Sequence, residues 1–180
     1  ITKTITLKPR LVNPPPRIVE TPSGMLNAIG LQNPGVEKFI EEKMPYFRKL
    51  KIPIIVSAMA HSVEEFVELI RILDKEKGID GFEMNLSCPN VQYASPNVLI
   101  GDQPGPRLRG DSSASAAKMF AHDAGMIEEV VLAVRNVTSK TLIAKLGPDV
   151  SDIGQMAQAA ERAGADAVSL INTLMAMVID

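Results

Sequence analysis

The 180-residue chain contains one cysteine, no tryptophan and few aromatic residues of any kind, at 4%. A single cysteine cannot form an internal disulfide bond, which excludes a small secreted scaffold held together by disulfides. Neither sign of charge dominates, because 19 basic residues stand against 21 acidic ones and the formal net charge is −2. A chain without excess positive charge is poorly suited to a phosphate backbone, so we expect no nucleic-acid partner.

Long apolar runs and targeting signals are also absent from the sequence. No run approaches the roughly 18 residues that cross a bilayer, and the first residues lack the charged-then-apolar order of a signal peptide. We therefore expect a cytoplasmic protein without a membrane partner. The chain starts with Ile1 and stops at Asp180 just after an apolar run, and we interpret it as a segment of a longer protein.

Motifs for metal ions and nucleotide phosphates are missing too. One cysteine and two distant histidines provide no ligand spacing for a metal, and neither GxGxxG nor GxxxxGK followed by Ser or Thr occurs. We expect His61 in a loop and His122 on a helix surface.

Hydrophobic residues make up 46% of the chain, and their spacing alternates between strand and helix patterns. Short apolar runs at 52–57, 81–87, 141–146 and 167–172 indicate buried strands. Amphipathic stretches between these runs indicate helices. This alternation is typical of right-handed βαβ units around a parallel sheet.

The ends of the helices and the first part of the chain have their own signals. Residues 1–7 alternate at period two with β-branched side chains, which predicts an edge or hairpin strand. Three consecutive prolines within 13–17 predict a stiff extended loop. Asn33 is expected to cap a helix that starts at the next residue, while Ser62 and Ser151 are expected to cap two later helices.

Four strands are too few to close a (β/α)8 barrel, which takes about 250 residues. The chain is therefore either a doubly wound open sheet or part of a barrel. Each strand ends in polar residues capable of chemistry, namely Ser57, Asn85 to Cys88, Lys145, and Asn172 with Thr173. The carboxyl ends of barrel strands converge on one mouth, so we favour a partial TIM barrel. Residues 1–180 would form one such α/β domain, with the polar segment 92–115 as a long loop at the mouth.

Two residues at these strand ends stand out for their chemistry. Cys88 is either a small buried hydrophobic residue or a thiol placed to act as a general base, and the amides around it favour the second interpretation. Lys145 lies inside a strand, where a charge is costly unless it is paired. It either forms an ion pair, for which Glu83 is a candidate, or serves as a fixed cation for a ligand that gains negative charge.

Several amides could complete such a pocket. Asn27, Asn85, Asn90 and Asn172 can each donate and accept hydrogen bonds, which suits a planar polar heterocycle. Taken singly, each is equally suited to a turn or a helix cap. Lys3, taken alone, is a plausible solvated strand residue.

Ordered motifs run along nearly the whole chain: TITLKPR at 4–10, NPPPR at 13–17, GMLNAIGLQNPG at 24–35, NLSCPN at 85–90, KL at 145–146 and INTL at 171–174. This series resembles the dihydroorotate dehydrogenase family, and within it the class 1B catalytic subunits. The resemblance implies a (β/α)8 flavoprotein barrel that binds FMN. It further implies an oxidoreductase that converts dihydroorotate to orotate in the biosynthesis of UMP.

The resemblance also implies a role for individual residues. Cys88 corresponds to the base that removes the C5 proton while a hydride leaves C6 for the flavin N5, and Lys145 to the lysine beside the flavin N1 and O2 edge. The implied cofactor contacts are Lys3, Thr4, Ser57, Asn85, Lys145 and Ile171. The implied substrate contacts are Lys3, Asn27, Ala28, Ile29, Gly30, Leu31, Asn85, Asn90, Asn172 and Thr173.

Three departures separate this chain from the family pattern. Ser57 stands where the family usually has Asn, and QYASP at 92–96 replaces a glycine-rich continuation in a stretch that is longer than usual. The first barrel strands and the late glycine-rich loops that hold the FMN phosphate have no counterpart in the 180 residues.

The resemblance implies partners as well: a homodimer, and a subunit carrying FAD and an iron–sulfur cluster that passes electrons to NAD. Two alternatives remain open at this point. One is a flavin barrel of the dihydropyrimidine dehydrogenase type, which shares the Cys, Lys and Asn-Thr motifs. The other is a non-catalytic structural fragment that is unable to bind FMN alone.

Overall fold

A computed structural model of the chain describes residues 1–11, 13–87 and 120–177. The expected mouth loop at 92–115 lies outside these ranges, as do Cys88 and Asn90. The elements in chain order are β1 (Ile18–Thr21), β2 (Gly24–Asn27), α1 (Gly35–Glu42), α2 (Met44–Phe47), β3 (Ile55–Ala58), α3 (Val63–Asp74), β4 (Gly81–Asn85), a 3-10 helix (Phe120–His122), α4 (Ala124–Arg135), β5 (Thr141–Leu146), α5 (Ile153–Arg162) and β6 (Ala167–Leu170).

The four predicted strands form one parallel sheet in the order β3-β4-β5-β6. Sequence order and spatial order therefore agree, as they do in successive βαβ units of a barrel. The strand expected at 141–146 has those bounds, whereas the strand expected at 52–57 begins at Ile55, and those expected at 81–87 and 167–172 end at Asn85 and Leu170.

The first residues extend this sheet beyond β3. The Ile5 amide donates to the Ser57 carbonyl at 2.8 Å and the Met59 amide donates to the Ile5 carbonyl at 3.0 Å, which is a parallel pairing. The edge position expected for residues 1–7 is thus confirmed, although only an isolated bridge forms there. The hairpin in this part of the chain lies later, where β1 and β2 pair antiparallel.

The two faces of the sheet differ in character. Alternate residues such as Phe82, Met84 and Leu142 are fully buried in the apolar core together with the helices. Helix α3 packs against α4, and α4 against α5, so the helices that connect the strands are neighbours on one side of the sheet. The opposite face carries polar residues, among them Ser57 and Glu83, which are paired in register between β3 and β4.

The helix ends confirm one predicted cap and correct two others. The Ser62 Oγ accepts the Glu65 amide hydrogen at 3.2 Å, as expected. The cap of α5 is Asp152 and not Ser151, because the Asp152 carboxylate accepts the Gln155 amide hydrogen at 3.1 Å. The charged carboxylate is also the better partner for the positive end of a helix dipole.

The first helix differs from the expectation at both ends. It begins at Gly35, with Pro34 as its cap residue, although the Asn33 Oδ1 does accept the Gly35 amide hydrogen at 2.9 Å. The apolar stripe that predicted one helix is divided between α1 and α2. The break falls just before Pro45, which lacks the amide hydrogen that would continue the ladder.

Within the described ranges, none of the helices combines the length and the apolar character required to cross a lipid bilayer.

Candidate active site

The polar face of the sheet ends in a continuous row of hydrogen bonds. The hydroxyls of Thr4 and Ser57 lie 2.9 Å apart, and the Asn85 Nδ2 donates to the Thr4 Oγ1 at 3.3 Å. The Asn172 Nδ2 then donates to the Asn85 Oδ1 at 2.8 Å. We call Thr4, Ser57, Asn85 and Asn172 the strand-end network. All four were expected at the site, and they come from positions 168 residues apart at the extremes.

The local backbone explains why these four side chains meet. Thr4 lies beside Ser57 because residues 1–5 follow β3 in parallel, and the Ser57 amide also donates to the Thr2 hydroxyl at 3.2 Å. Asn85 is the last residue of β4. Asn172 follows the end of β6, and its backbone amide donates to the Leu146 carbonyl at the end of β5, at 3.0 Å.

The strand-end network also distinguishes a barrel from a flat sheet. Neighbouring strands lie about 4.8 Å apart, so strands two positions apart are separated by roughly 9.6 Å when a sheet is flat. Asn85 bonds to Thr4 across β3 and to Asn172 across β5. Short bonds over that separation place these side chains on the concave face of a curved sheet, which favours the barrel over the doubly wound alternative.

Lys145 lies within reach of this network. In register it stands between Asn85 of β4 and Ser169 of β6, and its side chain is half-buried. None of the ion pairs in the described ranges includes Lys145. The alternative in which Lys145 pairs with Glu83 is therefore wrong. The Glu83 carboxylate instead accepts the Ser169 hydroxyl hydrogen at 3.0 Å.

The expected substrate loop, residues 27–31, is held by other contacts. Two bonds from Asn13 fix its middle: the side-chain amide donates to the Ala28 carbonyl at 2.7 Å, and the backbone amide donates to the Ile29 carbonyl at 3.1 Å. Gly30 and Leu31 both have positive φ values, of 85° and 59°, so the chain turns sharply before α1. A side chain at Gly30 would contact the Asn13 amide at 3.0 Å.

The remaining predicted site residues have fewer contacts with the strand-end network. Thr173 donates its amide hydrogen to the Asn172 Oδ1 at 2.9 Å, which links it to the strand-end network. Ile171 is 42% exposed beside Asn172, and the Lys3 side chain is exposed. Cys88 and Asn90 lie outside the described residues.

His61 occupies the loop after β3, as expected, but it belongs to a polar cluster that the sequence did not indicate. The Arg10 Nη1 and the His61 Nε2 lie 2.9 Å apart, and the His61 amide donates to the Glu65 carboxylate at 2.7 Å. Burial lowers the pKa of His61 below its ordinary value of 6.5, the Glu65 carboxylate raises it and the Arg10 guanidinium lowers it. A neutral imidazole can accept the guanidinium hydrogen, whereas an imidazolium cannot. His122, by contrast, is exposed, as expected for a surface position.

Two further sets of residues were missed. The bond between Ser169 of β6 and Glu83 of β4 is not predicted from the sequence, because the register of neighbouring strands cannot be deduced from one sequence alone. Asn33 was assigned only a capping role, although its side chain joins Thr6, Leu31 and Gly35. Its position three residues after the sharp turn at Gly30 is the signal that could have indicated more.

Comparison with known proteins identifies the family of this chain. The family model described as dihydroorotate dehydrogenase matches residues 1–180, the whole chain. The chain belongs to the dihydroorotate dehydrogenase family. Catalytic subunits named dihydroorotate dehydrogenase B (NAD(+)) match all 180 residues, with 45% identity in Geobacter sp. (strain M21), 47% in Geotalea daltonii and 45% in Desulforudis audaxviator. The chain spans 52% of the length of each of these relatives.

A solved structure shows that the fold is shared. The crystal structure of DHODH from Eimeria tenella in complex with ferulenol superposes with a TM-score of 0.67 over 97% of this chain and 50% of that one. Sequence identity is 18%, so this likeness supports the architecture alone. The four-stranded parallel sheet accordingly shares the α/β fold of that protein, and the expected fold class and family are both confirmed.

The strand-end network can be tested by removing two of its hydroxyls. Thr4→Val should lower the free energy of unfolding of the full-length protein by about 1–3 kcal/mol, because Ser57 and Asn85 lose a buried partner. Ser57→Ala should cost a similar amount. The double variant should cost less than both together, with a coupling of about 0.5–3 kcal/mol. Strictly additive losses in chemical denaturation would show that the two hydroxyls are not partners.

Proposed function

We propose that the full-length protein is an FMN-dependent dihydroorotate dehydrogenase that oxidises dihydroorotate to orotate in pyrimidine biosynthesis. The observation that carries the proposal is the strand-end network, which gathers four of the expected ligand contacts at one end of the sheet of a family member. A second support is Lys145, which lies beside Asn85 in register without a carboxylate partner among the described residues.

The donor set suits the ring of a flavin. The edge of an isoalloxazine presents carbonyl oxygens and ring nitrogens, and these match hydroxyl, amide and ammonium groups. Thr4, Ser57 and Asn85 supply the first two kinds, and Lys145 supplies the third. Because the Ser57 hydroxyl is already engaged with Thr4, we expect it to contact the ring less directly than an Asn would. Lys3 and Ile171 complete the proposed cofactor contacts.

FMN, when bound, supplies the two-electron acceptor that takes the hydride from C6 of dihydroorotate. Lys145 would hold the flavin ring through its ammonium group, which would stabilise negative charge gained on reduction. Cys88 lies three residues after Asn85, and we propose that its thiolate removes the proton from C5 of dihydroorotate. Loss of that proton and of the hydride leaves the C5–C6 double bond of orotate.

The substrate is held, in this proposal, by groups on both sides of the network. Asn172, Thr173 and Asn85 bind the pyrimidine amide edge together with Asn90. The loop 27–31 closes the other side. Lys3, which directly precedes Thr4, binds the anionic carboxylate of the substrate.

The rest of the assembly is inferred from the relatives. Their names describe a catalytic subunit with NAD(+), which implies a partner subunit. We propose that this partner carries FAD and an iron–sulfur cluster, and that two catalytic subunits form a homodimer. Residues 1–180 would form one partial barrel domain, with the FMN phosphate bound by strands that these residues do not include. We place the protein in the cytosol, where Cys88 stays a free thiol.

The direct test is anaerobic mixing of the full-length, FMN-loaded protein with dihydroorotate and, separately, with dihydrouracil. Rapid loss of oxidised flavin absorbance with dihydroorotate alone supports the proposal. Faster reduction by dihydrouracil would assign the chain to a dihydropyrimidine dehydrogenase type, and failure to bind FMN would indicate a structural role.

Replacing the proposed base should separate chemistry from binding. Cys88→Ser should slow flavin reduction at neutral pH by about 10²–10⁴-fold, because far less of a hydroxyl than of a thiol is deprotonated at that pH. Orotate binding, measured by the change in the flavin spectrum, should stay close to that of the wild type. An unchanged reduction rate in stopped-flow would remove Cys88 from the mechanism.

The same β-strand offers a matched pair of lysines. Lys145 lies at the carboxyl end of the strand, whereas Lys140 precedes its other end, 5.6 Å from the Phe82 ring centre. Lys145→Ala should lower flavin affinity and slow reduction at least tenfold, while Lys140→Ala should alter neither. The measurement is flavin titration followed by stopped-flow. Equal effects of both substitutions would mean that the Lys145 charge serves stability only.

A further inference from the structure

Asn33 lies between the expected substrate loop and α1, and its side chain is almost completely buried, with 6% of its surface exposed. Its Oδ1 accepts the Gly35 amide hydrogen at 2.9 Å and the Thr6 amide hydrogen at 3.2 Å. Its Nδ2 donates to the Leu31 carbonyl at 3.0 Å and lies 2.9 Å from the Thr6 hydroxyl. One amide therefore joins the loop, the first helix and the edge of the sheet.

The backbone of Asn33 strengthens the same connection. Its amide and carbonyl both pair with those of Arg10, at 3.3 and 3.0 Å. Buried polar atoms are costly when they lack partners, and those of Asn33 are all engaged. A side chain with this many hydrogen bonds is fixed in one orientation, and it therefore also restrains the backbone groups to which it is bonded.

The bond to Leu31 falls at a position where order is needed. Leu31 has a φ of 59°, in the left-handed region that residues with a side chain rarely adopt. It is the last residue of the loop 27–31. The Asn33 amide, two residues later, holds its carbonyl in place, and with it the end of the loop.

The bond to Thr6 connects this loop to the strand-end network. Thr6 follows Thr4 by two residues, on the segment that pairs with β3. Asn33 thus fixes the loop relative to the strand that carries Thr4. Loop and network are the two sides of the proposed substrate pocket.

We propose that Asn33 is a positioning residue for substrate, which acts by holding the loop 27–31 against the strand-end network. The proposal rests on the proposed function. Asn33 does not touch substrate itself. Its role predicts a loss in substrate binding with little loss in the rate of hydride transfer once the substrate is bound.

Asn33→Asp is a selective test. A carboxylate keeps an oxygen for the Thr6 and Gly35 amides, but its second oxygen repels the Leu31 carbonyl where the amide donated. In the full-length, FMN-loaded protein, KM for dihydroorotate and Kd for orotate should rise about tenfold, the effect of one lost hydrogen bond. The limiting rate of flavin reduction should change less than about twofold.

Thr138→Val is the matched control. Thr138 is a buried residue whose hydroxyl donates to Asp74 at 2.6 Å, before the start of β5 and far from the strand ends. It should lower stability while leaving KM and Kd unchanged. Equal increases in KM for both variants, or no increase for Asn33→Asp, would overturn the proposal.

Amide hydrogen exchange supplies a readout that does not depend on the reaction. Asn33→Asp should accelerate exchange within 27–31 at least fivefold, and Thr138→Val should not. Unchanged exchange in the loop would overturn the role of Asn33 even if the enzyme is active. If the wild type fails to oxidise dihydroorotate, the proposed function is wrong, and exchange alone decides whether Asn33 orders the loop. Should Asn33→Asp not fold, Asn33→Ser, which can still accept the Gly35 amide hydrogen but cannot reach Leu31, is judged by the same criteria.

Discussion

Polar groups at the carboxyl ends of the strands must bond to one another because most of them are buried, and this constraint shapes the end of the sheet where we propose that ligands bind. The four residues of the strand-end network lie on different segments of the chain, and their side chains form an unbroken row of hydrogen bonds. A donor left without a partner there would cost about 1–3 kcal/mol. The same bonds that avoid this cost hold the strand ends at fixed distances, so one set of contacts both stabilises the sheet and orders the site that we propose for ligands.

The opposite face of the sheet provides the rigidity that the network requires. Phe82, Met84 and Leu142 are fully buried against the helices, and α3, α4 and α5 follow one another along that side. Apolar burial thus fixes the strands from outside the curve, and hydrogen bonds fix their ends from inside it. Lys145 fits this division, because it shares the polar face but lacks a carboxylate partner in the described ranges. This is why we assign Lys145 to the proposed ligand site.

Hydrophobic periodicity predicted the fold well because the parallel strands are short buried runs separated by amphipathic helices. It also predicted that residues at strand ends would converge, since this follows from parallel topology and needs no knowledge of side-chain contacts. The short hairpin of β1 and β2 was missed, because Ile18, Val19 and Met25 remain exposed and so carry no strong burial pattern. The Glu83–Ser169 bond and the several contacts of Asn33 depend on register and on tertiary packing, and local spacing does not encode either. The amides around Cys88 indicated a general base, whereas the proton that it removes was implied only by the family resemblance, and the described residues do not include Cys88.

We infer that, at the end of the sheet that carries the strand-end network, the Cys88 thiol faces the pyrimidine ring of the substrate and the Lys145 ammonium group faces the flavin. A crystal structure of the full-length protein with FMN and orotate measures this directly. We predict that the Cys88 Sγ lies within about 3.5 Å of the orotate C5, that the Lys145 Nζ contacts the flavin, and that Asn172 contacts the orotate amide edge. A sulfur that points into the helix-side core, or an orotate bound away from Asn85 and Asn172, would contradict it.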